Sequence, residues 1–342
     1  MPGHELIDSE AIFAPLNAFR RIGLAVSGGP DSLALLLLAA DYARKHAQPD
    51  RFIVYSVDHG LRPEAADEVG FVLAIAHQYG FAARGLKWEG DKPVTGIQQA
   101  ARAARYALIG AAMAEDGAEV LVTAHHLGEQ AETVLMRLAH GSGVEGLRGM
   151  DYFAEIGGVM LVRPLLGIEK AQLARVIAAA GLAPAADPSN IDTSYERVRW
   201  RQMLPQLAAM GLDARRLARF ADRMRDADAA LGEMAARIAV DHDEMTGERR
   251  IARAALRAAP RAAAIRALGN VLRDAGGGAK AHDLAPVEAL VDRLRADPAL
   301  KRTSLHACLI SSDGETVSIA PEPGRSAKSQ ARGKGQRSVT RN

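Results

Sequence analysis

Residues 25–38, AVSGGPDSLALLLL, carry the most informative local pattern of this chain. An apolar segment (21–26) runs through a polar, glycine-rich turn into a pattern that predicts a helix over 33–45. The two glycines allow close approach of the backbone to a ligand, and free N–H groups at a helix start attract an anion. A carboxylate beside a phosphate makes sense mainly if a divalent cation lies between them. The turn therefore predicts a pyrophosphate-binding loop in which Asp31 is a metal ligand.

A tight strand-to-helix turn with an Asp or Ser N-cap is the structural alternative for this loop. It is not a G-x-x-x-x-G-K-[ST] loop, because no lysine follows the second glycine. The hydroxyls of two serines can add donors to those of the backbone. The predicted phosphate-binding residues are therefore Ser27, Gly28, Gly29, Pro30, Asp31 and Ser32.

Apolar runs and helical patterns alternate after this loop. The predicted strands are 52–57 and 119–124, and the predicted helices are 64–79, 98–116 and 127–140. Such alternation predicts an α/β fold with a parallel, doubly wound sheet. Ligands bind such sheets beyond the carboxyl ends of the strands, where the polar clusters of this sequence lie.

The composition changes near residue 205. The chain then reads as a mainly helical C-terminal domain, with helical patterns at 213–240, 250–273 and 284–296. Two strand-like runs follow at 303–311 and 315–320, hinged at Asp313-Gly314. We predict a catalytic domain over 1–205, a helical domain with a short strand pair over 213–322, and a basic disordered tail over 323–342.

Composition and charge restrict the function classes. A single cysteine, Cys308, excludes an internal disulfide framework and any cysteine-cluster metal site, and it fits a reducing, cytoplasmic location. No apolar stretch is long enough to predict a membrane span. The net charge is only +2, but the last eighteen residues hold six Lys or Arg and no acid. This tail is either a solubilising end or an arm for nucleic acid.

Six motifs in order carry a family resemblance. They are SGGPDS at 27–32, VDHGLR at 57–62, ARAARY at 101–106, HHLGEQAET at 125–133, RPLL at 163–166 and DPSNIDTSYERVRWR at 187–201. The first resembles the phosphate loop of the N-type ATP pyrophosphatases. Together they resemble the tRNA(Ile)-lysidine synthase family over roughly residues 20–205, and beyond 213 the resemblance rests on layout alone.

The resemblance implies ATP-dependent ligation of L-lysine to carbon 2 of the wobble cytidine in tRNA(Ile) with a CAU anticodon. ATP would adenylate the oxygen at carbon 2, which is a poor leaving group, and Mg²⁺ on Asp31 would help to neutralise the departing pyrophosphate. The lysine amine, with a reference pKa of about 10.4, must lose a proton before it attacks. Glu129 and Glu132 lie three apart on a predicted helix that follows His125 and His126. The predicted catalytic residues are Asp31, His126, Glu129 and Glu132; a helix start with acids favouring its dipole is the alternative.

Further residues are candidates for substrate binding. Asp58, Arg102 and Arg105 are predicted to hold the base and ribose of ATP, although the two arginines equally suit a solvated helix face. Positive charge for the tRNA comes from four arginines, and two aromatic residues either stack on RNA or lie in the core. These six residues are Arg163, Arg197, Arg199, Arg201, Tyr195 and Trp200. Asp187, Ser189 and Asn190 are candidates for reading the lysine backbone.

Two positions depart from the family pattern. The family usually carries two aspartates where this chain has Gly128-Glu129, and an asparagine where Val198 follows Arg197. Two other function classes stay open: a different ATP pyrophosphatase reaction, and a nucleotide-binding module without catalysis. Among the other ATP pyrophosphatase reactions, cytidine thiolation is disfavoured. That reaction uses a cysteine cluster, and this chain has a single cysteine. The oligomeric state is also open, with a homodimer as one alternative.

Overall fold

The computed structural model describes residues 7–184, 194–277, 284–297 and 300–322. The chain forms two compact units. Unit 1 comprises Met1–Ala139 and Gly149–Ala221, and unit 2 comprises His140–Arg148 and Asp222–Asn342. Among the described residues, no helix combines the length and apolar character needed to span a bilayer. The predicted domain bounds 1–205 and 213–322 stay a prediction, and the predicted basic tail lies outside the described residues.

Unit 1 is an α/β unit in which strands and helices alternate. Its strands are β1 (Ile22–Ala25), β2 (Phe52–Asp58), β3 (Ala82–Lys87), β4 (Val120–Val122), β5 (Phe153–Ile156) and β6 (Val159–Val162). Its first helices are α1 (Ser9–Phe13), α2 (Pro30–His46), α3 (Ala65–Gln78), α4 (Ile97–Asp116) and α5 (Leu127–Ala139). Later come α7 (Lys170–Ala180), α8 (Glu196–Ala209) and the start of α9 (Ala214–Ala236), while α6 (Val144–Leu147) falls in unit 2.

The six strands form one sheet in the order β3-β2-β1-β4-β6-β5. All neighbours are parallel except β5, which pairs antiparallel with β6. The strand order runs outward from β1 in both directions, and such a reversal is where parallel sheets bind ligands. The predicted parallel, doubly wound sheet is confirmed.

Alternate side chains of each central strand pack on opposite faces of this sheet. In β2, Phe52 and Val54 join the core that contains α2, whereas Ile53 and Tyr55 join the core that contains α4. Both faces are therefore buried under helices, which explains why the strands read as nearly continuous apolar runs in the sequence.

Six of the helices and strands of unit 1 given above were not predicted: β3, β5, β6, α1, α7 and α8. The sequence of β3, AARGLK, holds no alternation of large apolar residues, and this edge strand is largely accessible to solvent. The β5–β6 hairpin turns at Gly157 and Gly158, both of which have positive φ. Its strands are four residues each, too short for a clear periodic signal.

Unit 2 contains more β structure than the sequence indicated. Its strands are β7 (Asp241–His242), β8 (Arg249–Ala252), β9 (Thr303–Leu305), β10 (Cys308–Ser312) and β11 (Thr316–Pro321), and its later helices are α10 (Arg253–Ala258), α11 (Arg261–Ala275) and α12 (Leu284–Ala296). The strands form one antiparallel sheet, β7-β8-β11-β10-β9.

Three expectations for unit 2 need correction. The predicted strand pair is present as β10 and β11, turning at Asp313-Gly314, but it is part of a five-stranded sheet. The predicted strand 303–311 is two strands, because His306 and Ala307 adopt positive φ and make a turn. The predicted helix 250–273 begins as strand β8 and breaks at Pro260, where the ring cannot continue a helix hydrogen-bond ladder.

Candidate active site

The candidate site lies at the carboxyl edge of the unit 1 sheet. The segments after β1, β2, β4 and β6 all emerge there, because these strands are parallel. They carry the SGGPDS loop, Asp58-His59, the segment 123–126 and Arg163. The sheet topology thus brings together polar clusters that lie far apart in the sequence.

The SGGPDS loop is a strand-to-helix turn whose first helical turn is open. Gly28 has φ of 83°, a conformation that favours glycine, and Gly29 is an extended N-cap with no side-chain cap hydrogen bond. Pro30 occupies the first helical position, where its missing N–H costs nothing. The backbone donors of this turn are therefore available to an anion.

Ser32 fixes the shape of the loop. Its hydroxyl donates to the Gly29 carbonyl at 2.9 Å and accepts from the Ser27 N–H at 3.1 Å. The two serine Oγ atoms are 3.3 Å apart. Ser32 is buried and Ser27 is exposed, so Ser32 closes the loop and Ser27 faces solvent.

Asp31 connects this loop to the start of α5. Its Oδ2 lies 3.7 Å from Nε2 of His126, close enough for an ion pair but too long for a hydrogen bond. The Asp31 side chain is 28% exposed, whereas that of His126 is only 5% exposed. Asp31 therefore keeps carboxylate surface available at the loop.

His126 and Glu129 cap the first turn of α5. Nδ1 of His126 accepts from the Gly128 N–H at 3.0 Å, and Oε2 of Glu129 accepts from the His126 N–H at 3.3 Å. This pattern resembles a capping box, but an imidazole replaces the usual hydroxyl and accepts from the second helical residue rather than the third. Both side chains thus have a local structural role in addition to the predicted catalytic one.

Glu129 is half-buried at the start of α5. Burial raises the pKa of its carboxyl, while the nearby His126 and Arg197 act in the opposite direction. Beside it, His125 hydrogen-bonds Thr123 through Nδ1 at 2.8 Å, and burial with the charge of Arg163 lowers its pKa to about 3. The site thus holds a neutral imidazole and a carboxyl able to exchange a proton.

Glu132 is held in a buried ion pair. Its side chain is 2% exposed and accepts from Nε of Arg201 at 2.8 Å, with Nε of Arg197 at 3.6 Å. Arg197 also donates to Thr133 Oγ1 at 3.2 Å. The two arginines join α8 to α5 through Glu132, and their predicted contact with tRNA stays a prediction. Arg199 is exposed on the same helix.

Trp200 packs against a small core between α5, α8 and α9. The buried members of this core are Ala131, Val134, Leu135, Leu217 and Ala221. The indole N–H donates to Glu196 at 3.2 Å. Of the two alternatives for this residue, the structure favours core packing over stacking on RNA.

The residues predicted to bind the base and ribose lie around the end of β2. Asp58 caps the next turn by accepting from the Gly60 N–H at 2.7 Å. Arg105 donates to Nε2 of His59 at 3.1 Å through its terminal nitrogen, and Arg102 lies over the Tyr106 ring at 5.1 Å. The charge of Arg102 also lowers the pKa of His125. The residues after β2 and those after β4 therefore influence each other at this edge of the sheet.

Sequence reasoning missed an aromatic and cationic group at this end of the sheet. Trp88 packs edge-on against His59, with Lys92 at 4.0 Å from the indole centroid. Burial and the Arg105 guanidinium lower the pKa of His59 to about 4, so it is neutral, and its Nδ1 is buried without a partner among the described residues. Trp88 and Lys92 follow β3, which the sequence did not reveal.

The structure thus brings Asp31, His126 and Glu129 into successive contact, and it places Glu132 three residues further along α5 in its ion pair with Arg201. The lysine-reading candidates Asp187, Ser189 and Asn190 lie outside the described residues. Within those residues, no group of three or more His, Cys, Asp or Glu could hold a metal ion. The partly exposed Asp31 carboxylate is a ligand of the kind that Mg²⁺ takes, together with water and substrate phosphates.

Comparison with known proteins agrees with this geometry. Residues 5–207 match the PP-loop domain family. The tRNA(Ile)-lysidine synthase of Bradyrhizobium diazoefficiens is 40% identical over 345 residues, covering 94% of this chain and 95% of that protein. The chain belongs to the tRNA(Ile)-lysidine synthase family. Other members are the synthases of Methylobacterium nodulans, 43% identical over 89% of this chain and 91% of that protein, and of Rhodopseudomonas palustris, 50% identical over 67% of each chain.

The fold also occurs in a solved structure. The U34-tRNA thiolase NcsA from Methanococcus maripaludis, with its [4Fe-4S] cluster, aligns with a TM-score of 0.54 at 17% identity. The alignment covers 64% of this chain and 77% of that one. At this identity the likeness concerns the fold, which supports the PP-loop architecture of unit 1.

Proposed function

We propose that this protein ligates L-lysine to carbon 2 of the wobble cytidine in tRNA(Ile) with a CAU anticodon. The reaction would consume ATP, pass through an adenylated tRNA and release AMP and pyrophosphate. The observation that carries the proposal is the open SGGPDS loop, with Asp31 3.7 Å from the His126 imidazole that caps α5. Membership in the family supplies the substrate class.

Adenylation is the step assigned to the loop. The backbone donors of residues 28–32 and the Ser27 hydroxyl would bind the phosphates, and Asp31 would hold Mg²⁺. Bound there, the cation would neutralise charge as pyrophosphate leaves. The carbon-2 oxygen of cytidine attacks the α-phosphorus, the bond to pyrophosphate breaks, and AMP becomes attached through that oxygen.

Lysine transfer is the step assigned to the start of α5. Glu129 would accept a proton from the lysine ammonium, since burial raises its proton affinity. The amine then attacks carbon 2, and AMP leaves with the former carbon-2 oxygen. Glu132 would act with it, although its ion pair with Arg201 supports a role in holding α8.

ATP base and ribose would be bound at the end of β2, by Asp58, Arg102 and Arg105. The neutral His59 beside Arg105 adds a buried ring nitrogen to this region. We place the tRNA backbone along Arg199, unit 2 and the basic tail, and the reaction in the cytoplasm, where a free thiol such as that of Cys308 is stable. A homodimer stays open.

The test is to incubate the protein with ATP, Mg²⁺, L-lysine and unmodified tRNA, and to measure AMP and the mass of the modified nucleoside. AMP that requires both lysine and tRNA, with lysine incorporated at the wobble cytidine, is the expected result. AMP formed without tRNA would favour another ATP pyrophosphatase reaction, and absence of AMP would favour a nucleotide-binding module.

A further inference from the structure

Gly128 is a helical glycine that the backbone does not require. It occupies the second position of α5 and does not have a positive φ. Glycine is the poorest helix former after proline, so alanine would suit this backbone better. The reason for a glycine here must therefore lie in the space that a side chain would fill.

That space is occupied by the His126 imidazole. A Cβ at position 128 would lie 2.9 Å from Cε1 and 3.2 Å from Nδ1 of His126, and the first distance is shorter than real Cβ contacts. The ring cannot simply move aside, because His126 is 4% exposed and its Nδ1 accepts the Gly128 N–H at 3.0 Å. The absence of a side chain at 128 thus leaves room for the imidazole that accepts the Gly128 N–H.

The cap hydrogen bond also determines the tautomer of a neutral His126. Since Nδ1 accepts a proton from the backbone, the ring proton must lie on Nε2. Nε2 is the atom 3.7 Å from Asp31 Oδ2, so the protonated ring nitrogen is the one beside the carboxylate of the phosphate loop. Displacing the ring would remove this contact from a buried site.

We propose that Gly128 is a positioning residue that fixes the orientation and tautomer of His126 and, through it, the Asp31 carboxylate at the phosphate loop. The effect on turnover rests on the proposed function, whereas the effect on the imidazole does not. A residue with a side chain at 128 would have to place the histidine differently.

Another helical glycine supplies a matched control. Gly70 lies within α3 of the same unit, and a Cβ built there has no neighbour within 4 Å. Gly70→Ala and Gly128→Ala are therefore the same chemical change in two helices of one unit. Only the second meets an imidazole.

The direct test is the tautomer of His126, observed by NMR at one pH with ¹⁵N-labelled histidine and assigned by its loss in His126→Asn. Wild type and Gly70→Ala should show a proton on Nε2 and an unprotonated Nδ1. Gly128→Ala should lose this signature. If Gly128→Ala keeps it, the proposal is wrong whatever reaction the protein catalyses.

Kinetics give the second readout. Gly128→Ala should reduce the rate of AMP formation by roughly 10- to 100-fold, the usual effect of removing a group that orients a metal ligand. Gly70→Ala should match wild type. In a His126→Asn background, Gly128→Ala should cause no further loss, because the ring that it displaces is gone. A full further loss there would overturn the proposal.

If Gly128→Ala does not fold, the double variant still decides. Asparagine is a good N-cap with a smaller side chain, so position 128 should tolerate alanine when Asn occupies 126. Thermal unfolding should then give Gly128→Ala/His126→Asn a Tm at or above that of His126→Asn. A Tm clearly below that of His126→Asn would show that the alanine does not clash with His126.

Discussion

Helices α2 and α5 begin at the ends of neighbouring parallel strands, β1 and β4, yet their first turns differ. The start of α2 has an extended glycine N-cap, a proline and no side-chain cap. The start of α5 is capped by the His126 ring and the Glu129 carboxylate. The same strand–turn–helix element therefore leaves backbone donors open in one case and is capped by ionisable side chains in the other.

The difference has an electrostatic basis. The positive end of the α2 dipole and its backbone donors are left to a ligand, whereas those of α5 are partly satisfied by its own side chains. Because the two helix starts meet at Asp31 and His126, ATP and lysine chemistry can lie side by side.

The largest effect is expected at the open helix start. Asp31→Asn keeps the side-chain shape but removes the charge that would hold Mg²⁺, so AMP formation should fall by roughly 1,000-fold or more. Asp67→Asn, in the first turn of α3, is the matched control and should retain turnover. Turnover of Asp31→Asn close to wild type at limiting Mg²⁺ would contradict the assignment.

The next effect concerns the buried pair behind α5. Glu132→Gln leaves Arg201 without its carboxylate, so the free energy of unfolding should fall by about 2 kcal/mol, less than for a fully buried pair because Arg201 is partly exposed. Urea denaturation measures this change. An unchanged midpoint would show that the pair does not join α8 to α5.

A smaller effect is expected from pH. His125 and His59 have pKa values lowered to about 3 and about 4, so the unfolded chain binds protons below pH 6.5 that the folded chain does not. Stability should therefore fall as the pH falls from 7 to 5, by on the order of 1–2 kcal/mol for each histidine. In urea denaturation at several pH values, His125→Gln should reduce the dependence of unfolding free energy on pH. The same dependence in variant and wild type would show that burial of His125 does not contribute.

The smallest effect is expected from the basic tail. Removing residues 325–342 deletes six Lys or Arg but none of the described residues. Affinity for tRNA should fall by roughly two- to fivefold, with a shallower salt dependence, while ATP affinity is unchanged. Filter binding across a salt series measures both. Identical salt slopes would make the tail a solubilising end.

Local sequence was enough to predict the open helix start. Glycine, proline and serine determine that turn through short-range conformational preference, and the long apolar run after it predicts a buried helix. The order of alternating elements then predicted the parallel sheet. The predictions for Asp31, His126 and Glu129 concern one edge of that sheet, which follows from topology alone.

The capped helix start and unit 2 could not be predicted in the same way. That Glu132 pairs with Arg201, 69 positions away, depends on how α8 packs, and no local pattern encodes it. An imidazole is an unusual helix cap, so the sequence did not predict that His126 caps α5. Gly128 was noted only as a departure from the family pattern. In unit 2, arginine- and alanine-rich segments favour helix by composition, and this hid the short strand β8.

The proposed reaction is divided between the two helix starts, with adenylation at the loop and amine transfer at the start of α5. A single-turnover experiment with ATP labelled in the α-phosphate, tRNA with a CAU anticodon and L-lysine tests it in the Glu129→Gln variant. Adenylated tRNA should form at nearly the wild-type rate and accumulate, with lysine transfer and release of labelled AMP slowed at least tenfold. If adenylation and transfer are slowed equally, Glu129 acts on ATP and the two helix starts do not divide the reaction.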